Sequence, residues 1–169
     1  MQTIQQDSTL EIVHRHLESM GFSPILDTDV VRFLVIDADE TVRLPCVVNL
    51  IEKMVNGQVY PILMITCKVG IMGQIDEDEI TTFLFQTLDM NSEVGMTPYA
   101  MVVLSDRDGE DAAHPENFQL VLRNSINFQN APVGCLEIAI GELRIALETS
   151  LSLRQAYNIK IAETATVNA

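Results

Sequence analysis

Few residues in this chain have types and spacings that could do chemistry, and the most suggestive are two thiols. Cys46 and Cys67 lie on two β-rich runs within Leu44 to Val69 that flank Asn56-Gly57, a dipeptide that accepts the positive φ angles of a two-residue type I′ turn. With Val55 opposite Gln58, the turn sets Met54 against Val59, Leu50 against Leu63, Val48 against Ile65 and Cys46 against Cys67 on one face of the ribbon. The thiols then fall at a non-hydrogen-bonded pair, where side chains approach closely enough for a disulfide. The plainer reading is two small core residues kept as thiols, since the third cysteine, Cys135, makes the count odd and no Cys-x-x-Cys is present.

Other chemical signals are weaker. His14 and His16 sit two apart on a helical segment, about 200° around its axis, so they cannot face one metal ion together. His14 is expected on the wet face with Glu11 and Glu18. His114 lies in the loop Asp106 to Pro115 near Asp106, Asp108 and Asp111. A hard cation could visit those carboxylates, but Gly109 is misplaced for a calcium loop and the flanking elements read as strands, which favours a solvated hairpin tip. Gly70-Ile-Met-Gly73 has the form of some RNA-binding loops, yet Asp76-Glu-Asp-Glu79 follows it and would repel a phosphate backbone. No nucleophile elbow, phosphate-binding loop, dinucleotide fingerprint or His-Glu-x-x-His is present. No catalytic, cofactor-binding or metal-ligating residue is assigned.

The elements that would position these residues follow from periodicity. Ser8-Thr-Leu-Glu11 reads as a capping box opening a helix with apolar Leu10, Val13, Leu17 and Met20, stopped at Gly21. Val30 to Ile36 is a strand between Asp-rich turns, with a weaker two-residue strand at Ile25 and Leu26. After the Asn-Gly hairpin, the acids at 76–79 favour a helix start, and Ile80, Phe83, Leu84, Thr87 and Leu88 carry helical spacing to about Met90. Tyr99 to Leu104 and Phe118 to Ile126 read as strands. A last helix runs from Val133 to about Tyr157 with a stripe at Leu136, Ile140, Leu143, Leu147 and Leu151. The order α-βββ-α-ββ-α, with an Asn-Gly hairpin, predicts an α+β fold: a twisted antiparallel sheet of about five strands with three helices packed on it. One domain over 1–160 and a flexible tail over 161–169 are expected.

Composition narrows the functions. The 169 residues hold 24 Asp+Glu against 10 Lys+Arg, net −14, which argues against nucleic acid or an anionic membrane as partner. With 47% apolar residues the chain can build an ordinary core. The opening MQTIQQDST lacks a secretory pattern, and apolar runs such as Tyr60 to Ile65 are far too short for a membrane helix. A cytoplasmic protein is expected.

What is left over is apolar surface. The second face of the hairpin pairs Lys53 with Tyr60, Ile51 with Ile62, Asn49 with Met64 and Val47 with Thr66, a mixed surface with an apolar centre. Phe85 falls among Thr81, Thr82 and Asp89, about 140° around the helix from Ile80. Ile51, Tyr60, Ile62, Met64 and Phe85 are therefore the candidate interaction surface. The eight Met residues add adaptable contact area.

The helix ending Ser19-Met-Gly-Phe22, the VVRFLVID strand, the long hairpin, the DEDEITTFLFQTL helix and the LEIAIGELRIALETSL helix together resemble the YbjN-like family of bacterial sensory transduction regulators, within the type III secretion chaperone-like fold. The resemblance spans Leu10 to Tyr157 and rests on organisation. It implies a homodimer that holds extended segments of a client protein, without nucleotide, and no catalytic residues. The expected function is a non-enzymatic, homodimeric protein-interaction module with an unknown protein or peptide client. Two rivals stand beside it: a small-ligand or metal-binding protein or enzyme using the 106–115 loop, and a structural subunit of a larger complex.

Overall fold

A computed structural model describes residues 2–36, 43–71, 77–93, 99–105, 118–127 and 134–157. Its elements are α1 (Gln2–Ser19), β1 (Ile25–Leu26), β2 (Val30–Ile36), β3 (Arg43–Val55), β4 (Gln58–Ile71), α2 (Glu77–Glu93), β5 (Ala100–Ser105), β6 (Phe118–Asn127) and α3 (Gly134–Ala156). The fold is α+β, and without the two-residue β1 its order is the expected α-βββ-α-ββ-α. With β1 the antiparallel sheet has six strands in the order β1-β2-β3-β4-β6-β5.

The turn chemistry sets the geometry. Asn56 and Gly57 both have positive φ, 51° and 78°, as the type I′ turn requires. The β3–β4 register is the expected one throughout, including Cys46 opposite Cys67 and Ile51 opposite Ile62. A register shift between Lys68 and Gly70 disturbs only the pairing of β4 with β6. At the end of α1, Gly21 takes φ 89°. The Phe22 amide donates to the Leu17 carbonyl and the Gly21 amide to that of Glu18, the two bonds of a Schellman cap. The chain leaves that cap with Phe22 edge-on to Phe33, ring centroids 5.2 Å apart.

One face of the sheet carries the core. Val31, Phe33 and Val35 of β2, Leu44, Cys46 and Val48 of β3, and Leu63, Ile65, Cys67 and Val69 of β4 alternate inward. Leu120 and Leu122 of β6 continue the face, which Leu10, Val13 and Leu17 of α1, Phe83 of α2 and the α3 stripe cover. All three helices therefore lie on the same side of the sheet.

Several sequence expectations shift. α1 begins at Gln2, so Ser8 lies inside the helix and does not cap it; the glutamines upstream are good helix formers and nothing there halts propagation. α2 buries a narrower strip than its periodicity suggests. Phe83 and Thr87 are buried, but Leu84 and Leu88 are 40% and 64% exposed, being about 100° and 140° around from Phe83. On α3 the buried line ends in Ser150, Leu153 and Arg154, with Leu151 half-buried. Tyr99 precedes β5 and turns into the core, its hydroxyl donating to the Ala139 carbonyl at 2.8 Å. The 106–115 loop, Gly73 and the 161–169 tail lie outside the described residues.

Candidate interaction surface

Because strands alternate, the positions that do not enter the core make a second face, and among the described residues no helix packs on it. On the hairpin this face holds Val47, Asn49, Ile51 and Lys53 opposite Thr66, Met64, Ile62 and Tyr60. Neighbouring strands extend it. Leu34 lies opposite Pro45 and Arg32 opposite Val47, Thr66 opposite Arg123 and Lys68 opposite Val121, and Val121 opposite Val102. Four of the five candidate residues, Ile51, Tyr60, Ile62 and Met64, thus share one surface. Ile51 is 37% exposed; the other three are half-buried by their neighbours on the pleat. The Tyr60 hydroxyl donates to Gln58 Oε1 at 2.7 Å. Val121, only 2% exposed yet outside the core cluster, is the driest point of this face.

Phe85 belongs elsewhere. It is 65% exposed on α2, about 200° around from the buried Phe83. It therefore points away from the core, on the side of the molecule opposite the open sheet face. Its companions are the exposed Leu84 and Leu88, whose helical spacing alone predicts a core stripe. At the hairpin tip the strands run beyond the helical layer, leaving Met54 73% exposed.

The charges that the strands place on the open face have one sign. Arg32, Arg43, Lys53, Lys68 and Arg123 occupy it, whereas Glu52, the only acid in the strands, points to the other side. Arg32 is paired with Asp27 at 3.1 Å. Arg123 Nε is buried with no hydrogen-bond partner among the described residues.

The chemical candidates resolve differently. Cys46 and Cys67 are free and buried side by side. Burial, and then the Cys67 thiol beside it, push the Cys46 thiol well above its ordinary value. Burial first and the two thiols next push the Tyr99 hydroxyl up as well. The shift favours a neutral, unreactive Cys46 thiol. His14 shares its face with the exposed Glu18, which its Nδ1 meets at 3.6 Å, but is itself half-buried, its Nε2 sitting 3.2 Å from the Pro24 carbonyl. His16 Nε2 lies 3.2 Å from Glu137 Oε1 but is not aligned for a hydrogen bond. Among the described residues no group of His, Cys, Asp or Glu could hold a metal ion, and no helix is long and apolar enough to cross a membrane. A cleft of about 470 Å³ lies between β2 and α3, lined by Phe22, Val35, Ile140, Leu143, Arg144 and Leu147.

No family model matches the chain, and no curated protein matches it. Solved structures do. The crystal structure of YbjN from E. coli, described as a candidate transcription regulator, aligns with a TM-score of 0.58 at 8% identity, over 91% of this chain and 96% of that one. The chain has the YbjN-like fold. An uncharacterised protein from Methanothermobacter thermautotrophicus aligns at a TM-score of 0.49 and 12% identity, over 87% of this chain and 97% of that one. At such identities the likeness is one of backbone architecture, so YbjN does not specify the residues of the open face.

Proposed function

We propose that this protein is a non-enzymatic interaction module of the YbjN-like fold that docks a protein or peptide partner on its helix-free sheet face. One observation carries the reading: three helices cover one side of a sheet whose other side exposes aligned apolar pairs such as Ile51–Ile62. A face of that kind loses hydration cost when something covers it. A regulatory role, as described for YbjN, would be exercised through such contacts. In this reading the protein is also a homodimer. Like charges would meet if two open faces stacked, so the exposed Leu84, Phe85 and Leu88 of α2 are the better self-association surface.

The two parts are tested separately. Size-exclusion chromatography with light scattering at high micromolar concentration should return about twice 18.8 kDa, falling to the monomer in Leu88→Asp; a wild-type monomer contradicts the dimer. A stoichiometric partner recovered with the native chain should be lost from Ile62→Asp and kept by Ile145→Asp. The reverse pattern contradicts docking on the sheet.

A ligand-binding reading has the β2–α3 cleft behind it, whose 470 Å³ is of small-molecule size. Thermal shifts with amphipathic carboxylates, abolished in Leu147→Glu, would favour it.

A further inference from the structure

The open sheet face departs from the rest of the chain in its electrostatics. Acids outnumber bases 24 to 10 overall, so a surface taken at random would be mostly acidic. The strands instead place half of the ten basic residues on one face, Arg32, Arg43, Lys53, Lys68 and Arg123, with no acid among them. The pattern is interleaved with the apolar pairs. Lys53 stands beside Tyr60 and one residue pair beyond Ile51–Ile62. Arg123 lies across from Thr66, and Lys68 across from the dry Val121. Arg32, already paired with Asp27, contributes least.

Resting on the docking reading above, we infer that the partner of this face is an acidic amphipathic protein segment. Its apolar side chains would cover Val47, Ile51, Ile62 and Met64 while its carboxylates meet Lys53, Lys68 and Arg123. Charges arranged this way select the partner's sign and speed its encounter more than they add affinity. A second copy stacked through the same face is disfavoured, because five cations would oppose five. A sheet face set on a different surface of another copy is a heterologous contact and would not give the two-fold dimer of the reading above. Nucleic acid fits less well: Tyr60 is the only aromatic side chain among the described residues of this face for a base to stack on, and the net charge of −14 repels a phosphate chain at longer range.

The test uses the full chain and fluorescein-labelled peptides of about twelve residues, read by anisotropy at low salt. One peptide alternates Val with Glu, one Val with Lys, one Ser with Glu; single-stranded oligo-dT is the fourth probe. The Val/Glu peptide should bind, weakening at least about tenfold in Lys53→Glu/Lys68→Glu, further when Arg123→Glu is added, and steeply with salt. Circular dichroism and melting of the double variant, whose sites are at the surface, check that its fold is intact. Equal binding of the Val/Lys peptide overturns the inference, as does retention of Val/Glu binding in the charge-reversed double variant. If either result accompanies loss of binding in Ile62→Ser, the docking face stands and only the partner's charge is wrong. Equal binding of Ser/Glu or oligo-dT also overturns it, in favour of a site for polyanions at large. If no probe binds, the inference and the docking reading fall together.

Discussion

The two faces of one sheet are made by the same strands, yet they obey different rules. Toward the helices, short of the hairpin tip, every second residue is nearly always apolar and dry, with Leu63, Ile65 and Cys67 fully buried. The other face leaves its residues half-buried or exposed apart from the dry Val121, mixes Ile, Val and Met with Thr and Asn, and carries only basic charge along its strands. Residue size and shape are restricted on the first face by close packing, whereas on the second they are restricted only by whatever lies over it. A stability measurement should therefore respond to the first face and a binding measurement to the second.

The largest separation is expected from paired truncations on adjacent residues. Leu63→Ala should cost about 2–5 kcal/mol in urea unfolding, because it leaves a cavity between sheet and helices, while Ile62→Ala on the open face should cost under about 1 kcal/mol. Equal costs would mean that something already covers the open face. Tyr99→Phe should lose about 0.5–1.5 kcal/mol through the bond to the Ala139 carbonyl. The thiol cluster sharpens the contrast with pH. A thiol that stays protonated when folded but ionises when unfolded makes the unfolded state relatively more favourable as pH rises. Stability should thus fall above 9.0, the ordinary thiol value, and Cys46→Ser should flatten that slope. The smallest effect is kinetic: at neutral pH a thiol reagent should modify the half-buried Cys135 first and reach Cys46 and Cys67 only on unfolding.

Much of the architecture was legible because local rules and the global fold agree. Asn56-Gly57 alone specified ten opposed residue pairs, since the turn has two residues and strand pairing has period two. Helical periodicity was less informative. It could not reveal that α2 touches the core along Phe83 and Thr87 only, or that Arg154 closes the α3 stripe at 3% exposure. Those outcomes depend on where each helix lies over the sheet, which is tertiary information. Spacing placed Phe85 off the core stripe, but spacing on one helix says nothing about which side of the sheet that helix occupies. The single charge sign of the open face was readable once the register was known, by following alternate residues along β2, β3, β4 and β6.

Methyl NMR of isoleucine- and methionine-labelled protein, titrated with the Val/Glu peptide, addresses the docking face most directly. Ile51, Ile62 and Met64 should shift together as the peptide is added, while Ile138 and Ile145, exposed on the outer side of α3, stay where they are. Shifts confined to the α3 isoleucines, or no shifts at all, would contradict docking on the open face of the sheet.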